Sequence, residues 1–194
     1  MAANLGYIPK DRNTGLEEYF TPTEVAEAAM GMLSLRFPGF EPRVFAEPGC
    51  GNGAHTKAAL KYYPTIEKSH AIDVVNREME DVIVDDYLLW EPTEFIDLIT
   101  TNPPFSMAKQ FIIKSRDELS PGGLGLYLAR YSLIATKDRM DNLWNDVNLR
   151  EVWIIVPRPP FIGKHSDACE YAYFLFDGAP PSGSPRINWL RWKD

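Results

Sequence analysis

Four consecutive residues, Asn102, Pro103, Pro104 and Phe105, form the most specific chemical pattern in the sequence. Prolines lack an amide hydrogen and have a restricted φ, so they hold carbonyl oxygens and the Asn102 side chain in a rigid array of acceptors. An acceptor array suits the amino group of a substrate. Phe105 adds a flat apolar face for stacking a planar base that has left its stack. The alternative interpretation is a proline turn that only ends a strand.

A second pattern, at 45–53, places an acidic residue before three alternate glycines (Phe-Ala-Glu-Pro-Gly-Cys-Gly-Asn-Gly). Glycines allow a positive φ and a close approach of the backbone to a ligand, and the following helix directs its amides at polar groups. Glu47, Pro48, Gly49 and Gly51 are therefore candidate cofactor contacts. A purely structural turn is the alternative, and the position between a predicted strand and a predicted helix favours binding.

Two further acidic positions follow predicted strands. Asp73 lies about twenty residues beyond the glycines, where a carboxylate can accept hydrogen bonds from ribose hydroxyls. Asp86 and Tyr87 end the next strand, where a carboxylate could accept from an adenine amino group beside an apolar ring. For both positions the alternative is an ordinary carboxylate at the end of a strand.

Short apolar runs and amphipathic stretches alternate along the chain and predict an α/β fold. Strands are predicted at 44–46, 70–74, 81–84, 95–100, 124–129, 152–156 and 171–176. Helices are predicted at 21–35, 54–63, 108–119 and 136–145, the first with Thr21 as N-cap and Pro22 as its first residue. The first two strands and the helix between them make a βαβ unit, and open α/β sheets bind ligands at the carboxyl ends of their strands.

Composition and charge limit the number of domains and the kinds of partner that the sequence allows. The 194 residues are 45% hydrophobic and 24% charged, which suits one domain. The net charge of −7 argues against a simple basic patch for nucleic acid, but residues 1–100 carry −9 and residues 101–194 carry +2. The second half is therefore free to meet a polyanion.

The remaining reactive residues form no recognisable site. Cys50 and Cys169 predict neither a disulfide nor a zinc site, and this favours a reducing, cytoplasmic setting. His55, His70 and His165 have no shared metal-binding spacing, so we expect packed or polar bystanders and no metal. No apolar run suits a membrane span, and the N-terminus lacks a signal-peptide pattern.

These motifs, in this order, resemble those of amino-group methyltransferases that use S-adenosylmethionine. The similarity is greatest to the adenine-N6 DNA methyltransferases, whose catalytic signature is Asp/Asn-Pro-Pro-Tyr/Phe, and it extends over most of the chain. The 158–161 string and the residues after it look similar to small phage-type members. The resemblance implies a Rossmann-like fold: a mostly parallel seven-stranded sheet with helices on both faces.

The resemblance also implies an organisation and a set of roles. One methyltransferase domain would span 1–194, with an N-terminal arm and helix (1–40), a cofactor-binding half (41–100) and a catalytic and substrate half (101–194). Asn102 and the Pro103 carbonyl would accept hydrogen bonds from the adenine amino group. The residues implied to contact S-adenosylmethionine, or its product S-adenosylhomocysteine, are Phe20, Thr21, Pro22, Glu47, Pro48, Gly49, Gly51, Asp73, Asp86, Tyr87 and Asn102.

Substrate contacts are expected in the second half of the chain. Phe105 and Phe161 would hold the base, and Arg130, Arg158 and Lys164 are candidate phosphate contacts, with solvated surface charge as the alternative. DNA is the expected partner, without a membrane and with a homodimer or a recognition subunit as an option. The alternatives are an RNA or protein-glutamine methyltransferase, or a catalytically silent nucleotide-binding partner subunit.

Overall fold

A computed structural model describes residues 19–77, 79–161 and 169–193. Lys164 and His165, two of the residues singled out above, lie outside the described residues. In the described part, eight strands form one sheet in the order β3-β2-β1-β4-β5-β7-β6-β8. The strands are β1 (Val44–Pro48), β2 (Lys68–Asp73), β3 (Val82–Val84), β4 (Ile96–Thr101), β5 (Leu119–Arg130), β6 (Asn148–Val156), β7 (Tyr171–Asp177) and β8 (Arg186–Arg191).

The predicted α/β fold with a mostly parallel sheet is confirmed. Only β7 runs antiparallel to its two neighbours, β5 and β6. The predicted number of seven strands is wrong, because β8 adds an eighth at the edge, parallel to β6. The hydrophobic pattern of this strand is weak, since Leu190 is its one buried residue, and backbone pairing with β6 establishes it instead.

Helices cover both faces of the sheet, as expected. The helices are α1 (Thr23–Arg36), α2 (Ala54–Tyr62), α3 (Ala108–Glu118) and the short α4 (Lys137–Arg139), which a π-helical turn (Met140–Trp144) continues. Apolar residues of α1 and α2 share one core cluster with Leu98 and Leu124 of the sheet. Those of α3 share the other cluster with Ala46 and Ile99. Because Leu98 and Ile99 are consecutive in β4, their side chains point to opposite faces, so the two cores lie on opposite sides of the sheet.

The first helix begins later than predicted. The amides of Val25 and Ala26 both donate to the Pro22 carbonyl, at 3.0 and 3.2 Å, so Pro22 occupies the N-cap position with ψ 137°. The prediction of Thr21 as N-cap is therefore wrong. Its hydroxyl is buried without a hydrogen-bond partner among the described residues.

The predicted 136–145 helix is also shorter and less regular than expected. Thr136 Oγ1 accepts from the Arg139 amide at 3.3 Å and caps α4, which ends at Arg139. The chain then forms the π turn, which buries Leu143 and Trp144. Burial of these two side chains therefore determines the local backbone more than helix propensity does.

Glu151, in β6, forms hydrogen bonds that connect this strand to α1 and to the edge strand β8. Its carboxylate is 4% exposed and accepts from Arg36 Nη2 at 2.5 Å, Trp153 Nε1 at 2.8 Å and Asn188 Nδ2 at 3.0 Å. One buried charge thus joins the end of α1 to two neighbouring strands. A buried carboxylate is tolerated here because three donors replace its water.

We expect Glu151→Ala to destabilise the protein by about 3 kcal/mol, because removing one partner leaves the buried donors unpaired. For a chain of this size that corresponds to a fall of about 6–12 °C in Tm. Differential scanning calorimetry measures the change. Glu67→Ala is the matched control: Glu67 pairs with Arg43 at the exposed surface, and such pairs contribute less than about 1 kcal/mol. Equal Tm values for the two variants would contradict the anchoring role.

Candidate active site

A cavity of about 350 Å³ opens at the carboxyl ends of β1, β2 and β4. It brings together residues from both sequence motifs and from the two acidic positions. The lining consists of Tyr19, Phe20, Gly49, Gly51, Ile72, Asp73, Val74, Arg77, Asp85, Asp86, Tyr87, Asn102, Pro103, Pro104, Ser106, Met107 and Phe111. A smaller adjoining cavity adds Thr21, Glu47 and Cys50.

The glycine turn joins β1 to α2 as the sequence predicts. Gly49 and Gly51 have φ values of +66° and +53°, in the left-handed region that favours glycine. A Cβ added to Gly51 would lie 3.1 Å from Cδ1 of the Phe20 ring. The Gly51 amide also donates to Asp73 Oδ2 at 2.8 Å, which ties the turn to the end of β2. The turn is therefore both conformationally demanding and held close to a cavity wall.

Glu47 lies beneath this turn and caps the following helix. Its carboxylate oxygens accept from the amides of His55 at 3.3 Å and Thr56 at 2.7 Å, and from the Thr56 hydroxyl at 2.5 Å. The N-cap residue of α2, Gly53, has no side chain, so a carboxylate from β1 satisfies the first-turn donors and complements the helix dipole. A direct cofactor contact by Glu47 stays a prediction.

Acidic side chains line the cavity at the ends of β2 and β3. Asp73 Oδ1 accepts from the Val75 amide at 3.0 Å and from Arg77 Nη1 at 3.1 Å. Asp86 Oδ1 accepts from the Leu88 amide at 2.9 Å. Asp85 lines the same wall. These bonds fix the carboxylates in place, and this suits recognition of hydroxyl and amino donors.

Tyr87 places the face of its ring in the cavity wall and its hydroxyl in a buried network. The hydroxyl donates to Glu118 Oε2 at 2.5 Å and lies 2.6 Å from Ser115 Oγ. Burial raises the pKa of Tyr87 far above its usual range and also raises the pKa of Glu118. The phenol therefore stays protonated, and a cofactor contact by the Tyr87 ring stays a prediction.

Asn102 presents a free acceptor. Its Nδ2 donates to the Tyr19 carbonyl at 2.8 Å, which fixes the orientation of the amide group. Its Oδ1 is buried and has no hydrogen-bond partner among the described residues. The Thr101 hydroxyl donates to the Pro48 carbonyl and so holds the end of β4 beside the glycine turn. A buried amide oxygen without a partner is costly, and a ligand amino group would satisfy it.

Aromatic residues surround Phe105. Its ring centroid lies 5.0 Å from that of Tyr19 and 5.7 Å from that of Tyr171, and Phe161 is 4.5 Å from Tyr171. The Arg130 guanidinium lies 5.1 Å from the Phe105 centroid, and its Nε and Nη2 atoms are buried without an acceptor among the described residues. The structure thus brings together Phe105, Phe161 and Arg130, three of the predicted substrate residues.

Cys50, His55 and His70 are held in buried or packed positions. Burial, with the nearby Glu47 and Asp73 carboxylates, raises the pKa of the Cys50 thiol to about 12, so it provides no thiolate at neutral pH. His55 is buried, with Nε2 2.9 Å from the Tyr173 hydroxyl. Burial lowers the pKa of His70, which packs on Trp90. Both histidines hold structural positions, as expected.

Several predicted residues lie outside the main cavity. Pro22 starts α1, the Pro48 carbonyl accepts from Thr101, and Arg158 is exposed after β6. The sequence reasoning missed Arg77 and Phe111. Tyr19 directly precedes the predicted contacts Phe20, Thr21 and Pro22, and the bond from Asn102 to its carbonyl has no local pattern that predicts it. Arg77 follows β2 and Phe111 lies in the first turn of α3. Neither residue belongs to a sequence motif that predicts a ligand contact.

The described residues contain neither a metal-binding group nor a membrane-spanning helix. No group of three His, Cys, Asp or Glu side chains there could hold a metal ion. None of its helices is both long and apolar enough to cross a membrane.

Comparison with known proteins places this cavity in a familiar fold. No family model matches the sequence. M.CvrRI, a type II methyltransferase of Paramecium bursaria Chlorella virus XZ-6E, is 29% identical over 104 residues, which are 50% of this chain and 26% of that protein. The chain thus spans about a quarter of the length of this curated relative.

Solved structures match over a larger share of the chain. A candidate RNA methyltransferase from Pyrococcus horikoshii has a TM-score of 0.66 at 16% identity, over 84% of this chain and 87% of that one. A candidate class I S-adenosylmethionine-dependent methyltransferase from Listeria monocytogenes also scores 0.66, at 14% identity, over 95% and 68%. This chain has the class I methyltransferase fold. The M protein of the type I restriction enzyme EcoKI has the same fold, with a TM-score of 0.66 at 16% identity over 90% of this chain and 48% of that protein.

Proposed function

We propose that this protein transfers a methyl group from S-adenosylmethionine to the exocyclic N6 amino group of adenine in DNA. The observation that carries the proposal is Asn102, which lines the cavity and whose buried Oδ1 lacks a partner among the described residues. An acceptor held in this way suits an amino group with hydrogens to donate. The absence of a thiolate at Cys50 fits direct attack by the substrate nitrogen.

The residues of the main cavity fit S-adenosylmethionine. Gly51 supplies a wall that a Cβ would crowd, Asp73 supplies a carboxylate for ribose hydroxyls, and Asp86 with Tyr87 supplies an acceptor beside an apolar ring. These residues, with Phe20 and Gly49, would hold the cofactor. When bound, it supplies an electrophilic methyl group on a sulfonium and leaves as S-adenosylhomocysteine.

The remaining steps belong to the residues of the chain. Asn102 Oδ1 and the Pro103 carbonyl accept the two amino hydrogens and so orient the nitrogen lone pair for attack. With the cofactor bound, the substrate nitrogen would take up the methyl group and lose one proton to solvent, and S-adenosylhomocysteine would be released. Phe105 stacks on the base, and Tyr19, which fixes the Asn102 amide, keeps the acceptor aimed at the amino group.

The choice of DNA rests on the names of two relatives. M.CvrRI is a type II methyltransferase and M.EcoKI belongs to a restriction enzyme, and both favour DNA. The similarity to a candidate RNA methyltransferase makes RNA the second candidate. We further propose that residues 41–100 hold the cofactor, that residues 101–194 act on the substrate, and that sequence recognition requires a second subunit or a second copy.

The test is identification of the methylated product. Protein and S-adenosylmethionine with a labelled methyl group are incubated separately with unmethylated DNA, RNA and a glutamine-containing peptide, and nucleosides and peptide are analysed by mass spectrometry. We expect label in N6-methyladenine from DNA. Label in RNA or peptide alone would replace the proposed substrate. Cofactor binding without any transfer would favour a silent subunit that binds the nucleotide.

The role of Phe105 can be measured separately. We expect Phe105→Ala to lower kcat/KM for DNA by about 10- to 100-fold, since stacking on an aromatic ring contributes about 1–3 kcal/mol per base. Phe105→Tyr keeps the ring and is the matched control, expected to stay within a few fold of wild type. Cofactor affinity should be unchanged in both, because Phe105 lies outside the main cavity. Equal losses in the two variants would exclude stacking as its role.

A further inference from the structure

Two neighbouring segments of this acidic protein contain no carboxylate side chain. The whole chain has a net charge of −7, yet residues 152–161 and 178–193 include neither Asp nor Glu. These segments contain β8 and most of β6, together with the residues that follow each strand. Their cations include Arg158 after β6, Arg191 at the end of β8 and Lys193 just beyond it. A local excess of positive charge therefore lies at one corner of the sheet.

The sheet register places these cations side by side. Val156 pairs with Arg191 in the parallel β6–β8 ladder, so both strands end at the same level. The chains stay together beyond that point: the Trp192 amide donates to the Val156 carbonyl at 3.3 Å, and Trp192 Nε1 donates to the Pro157 carbonyl at 2.6 Å. We call the group formed by Arg158, Arg191 and Lys193 the β6–β8 corner.

The β6–β8 corner is exposed to solvent. All three side chains are exposed, and no carboxylate among the described residues forms an ion pair with Arg191 or Lys193. Other exposed cations among the described residues, such as Arg43 and Lys68, form ion pairs with a carboxylate. Arg191 and Lys193 thus keep charge available for an external anion.

The corner lies on the same edge of the sheet as the candidate active site. Because β4, β5, β6 and β8 run in the same direction, the carboxyl ends of β6 and β8 share an edge with Asn102. Four strand spacings of about 4.8 Å separate the end of β4, which Asn102 follows, from Arg191, a distance of about 19 Å. At about 3.4 Å of rise per nucleotide along a duplex strand, that corresponds to about six nucleotides.

We propose that the β6–β8 corner binds the phosphate backbone of the nucleic acid, about six nucleotides from the target base. This inference rests on the proposed function and adds a contact that the sequence motifs do not include, since Arg191 ends β8 and Lys193 follows it. Negative charge over the rest of the protein repels the backbone elsewhere, so the corner also sets the side from which the strand enters.

The test compares two double variants that each lose two positive charges. Arg191→Gln/Lys193→Gln removes two cations of the corner, and Arg43→Gln/Lys68→Gln removes two exposed cations at the opposite edge, where β1 and β2 begin. Affinity for a fluorescently labelled duplex DNA is measured by anisotropy over a series of NaCl concentrations. Each lost phosphate contact lowers the salt slope of log K by about 0.9.

For the corner variant we expect a slope that is shallower by about 1.8 and an affinity at least about tenfold lower near 0.1 M salt. The control should match wild type, and both variants should bind S-adenosylmethionine normally, which shows that they are folded. A corner variant with unchanged slope and affinity, or a control that loses as much, would overturn the inference.

The same samples separate this inference from the proposed function. Wild-type protein that methylates DNA while the corner variant binds it normally refutes the corner alone. If wild-type protein binds DNA and the corner variant shows the expected shallower slope, but wild-type protein transfers no methyl group, the proposed function alone is refuted. Failure of wild-type protein to bind DNA at low salt refutes both.

Discussion

Asn102→Ala should lower the rate of methyl transfer in a single turnover by about a hundred- to a thousandfold, with little change in the affinity for S-adenosylmethionine. Removal of one preorganised hydrogen-bonding group from a reacting centre has an effect of this size. The structure gives the reason: Asn102 Oδ1 is a buried acceptor without a partner among the described residues, and Tyr19 holds the amide in that orientation. Rapid quenching with labelled cofactor measures the rate.

Two further variants separate chemistry from structure. Asn102→Asp keeps an acceptor oxygen and should retain more activity than Asn102→Ala, although it loses the bond to the Tyr19 carbonyl. Asn142→Ala is the matched control, because Asn142 is exposed, donates to Asp138 Oδ1 at 2.7 Å and lies outside the main cavity. Wild-type rates in Asn102→Ala would mean that another group orients the substrate nitrogen.

Gly51→Ala should weaken binding of S-adenosylmethionine by at least about tenfold, or about 1.4 kcal/mol. An alanine at φ +53° is strained by about 1–2 kcal/mol. Its Cβ would also lie within 3.2 Å of two atoms of the Phe20 ring, which lines the main cavity. Relief of this contact moves either the ring or the Gly51 amide that bonds Asp73. Isothermal titration calorimetry with the cofactor measures the loss.

Two other glycines provide controls for this variant. Gly122 has φ +86° but open space around it, so Gly122→Ala shares the backbone strain and leaves the cavity intact. Gly39→Ala shares neither feature, since nothing lies within 4 Å and its φ is ordinary. We expect Gly122→Ala to lower Tm but to bind cofactor normally, and Gly39→Ala to change neither. Normal cofactor binding by Gly51→Ala would exclude the glycine turn as a binding element.

The sequence was informative where a local pattern carries the signal. Turns with a positive φ favour glycine, and Gly49 and Gly51 adopt such φ values between a strand and a helix, as predicted. Alternation and helical spacing placed β1, β4, α2 and α3 within about two residues of their observed bounds. The four residues from Asn102 to Phe105 likewise follow β4, because prolines end a buried strand.

Errors arose where backbone pairing or burial overrides local preference. The strand β8 has one buried residue, so its side chains give little signal, and its ladder with β6 establishes it. The start of α1 moved because Pro22 accepts the first-turn amides. The fourth helix was cut short in favour of a π turn that buries Trp144. In each case the deciding contact involves a neighbour that local periodicity does not describe.

By itself, then, the sequence determined the order of the elements, the glycine turn and the Asn-Pro-Pro-Phe string at the end of a strand. Tertiary structure decided how these residues are arranged. Asn102 is oriented by a carbonyl 83 positions away, Glu47 caps α2, and the cations at the ends of β6 and β8 lie at one corner of the sheet. The physical reason is range. Backbone conformation follows from adjacent residues, whereas a free acceptor or a cluster of charges depends on distant partners that only the folded chain brings together.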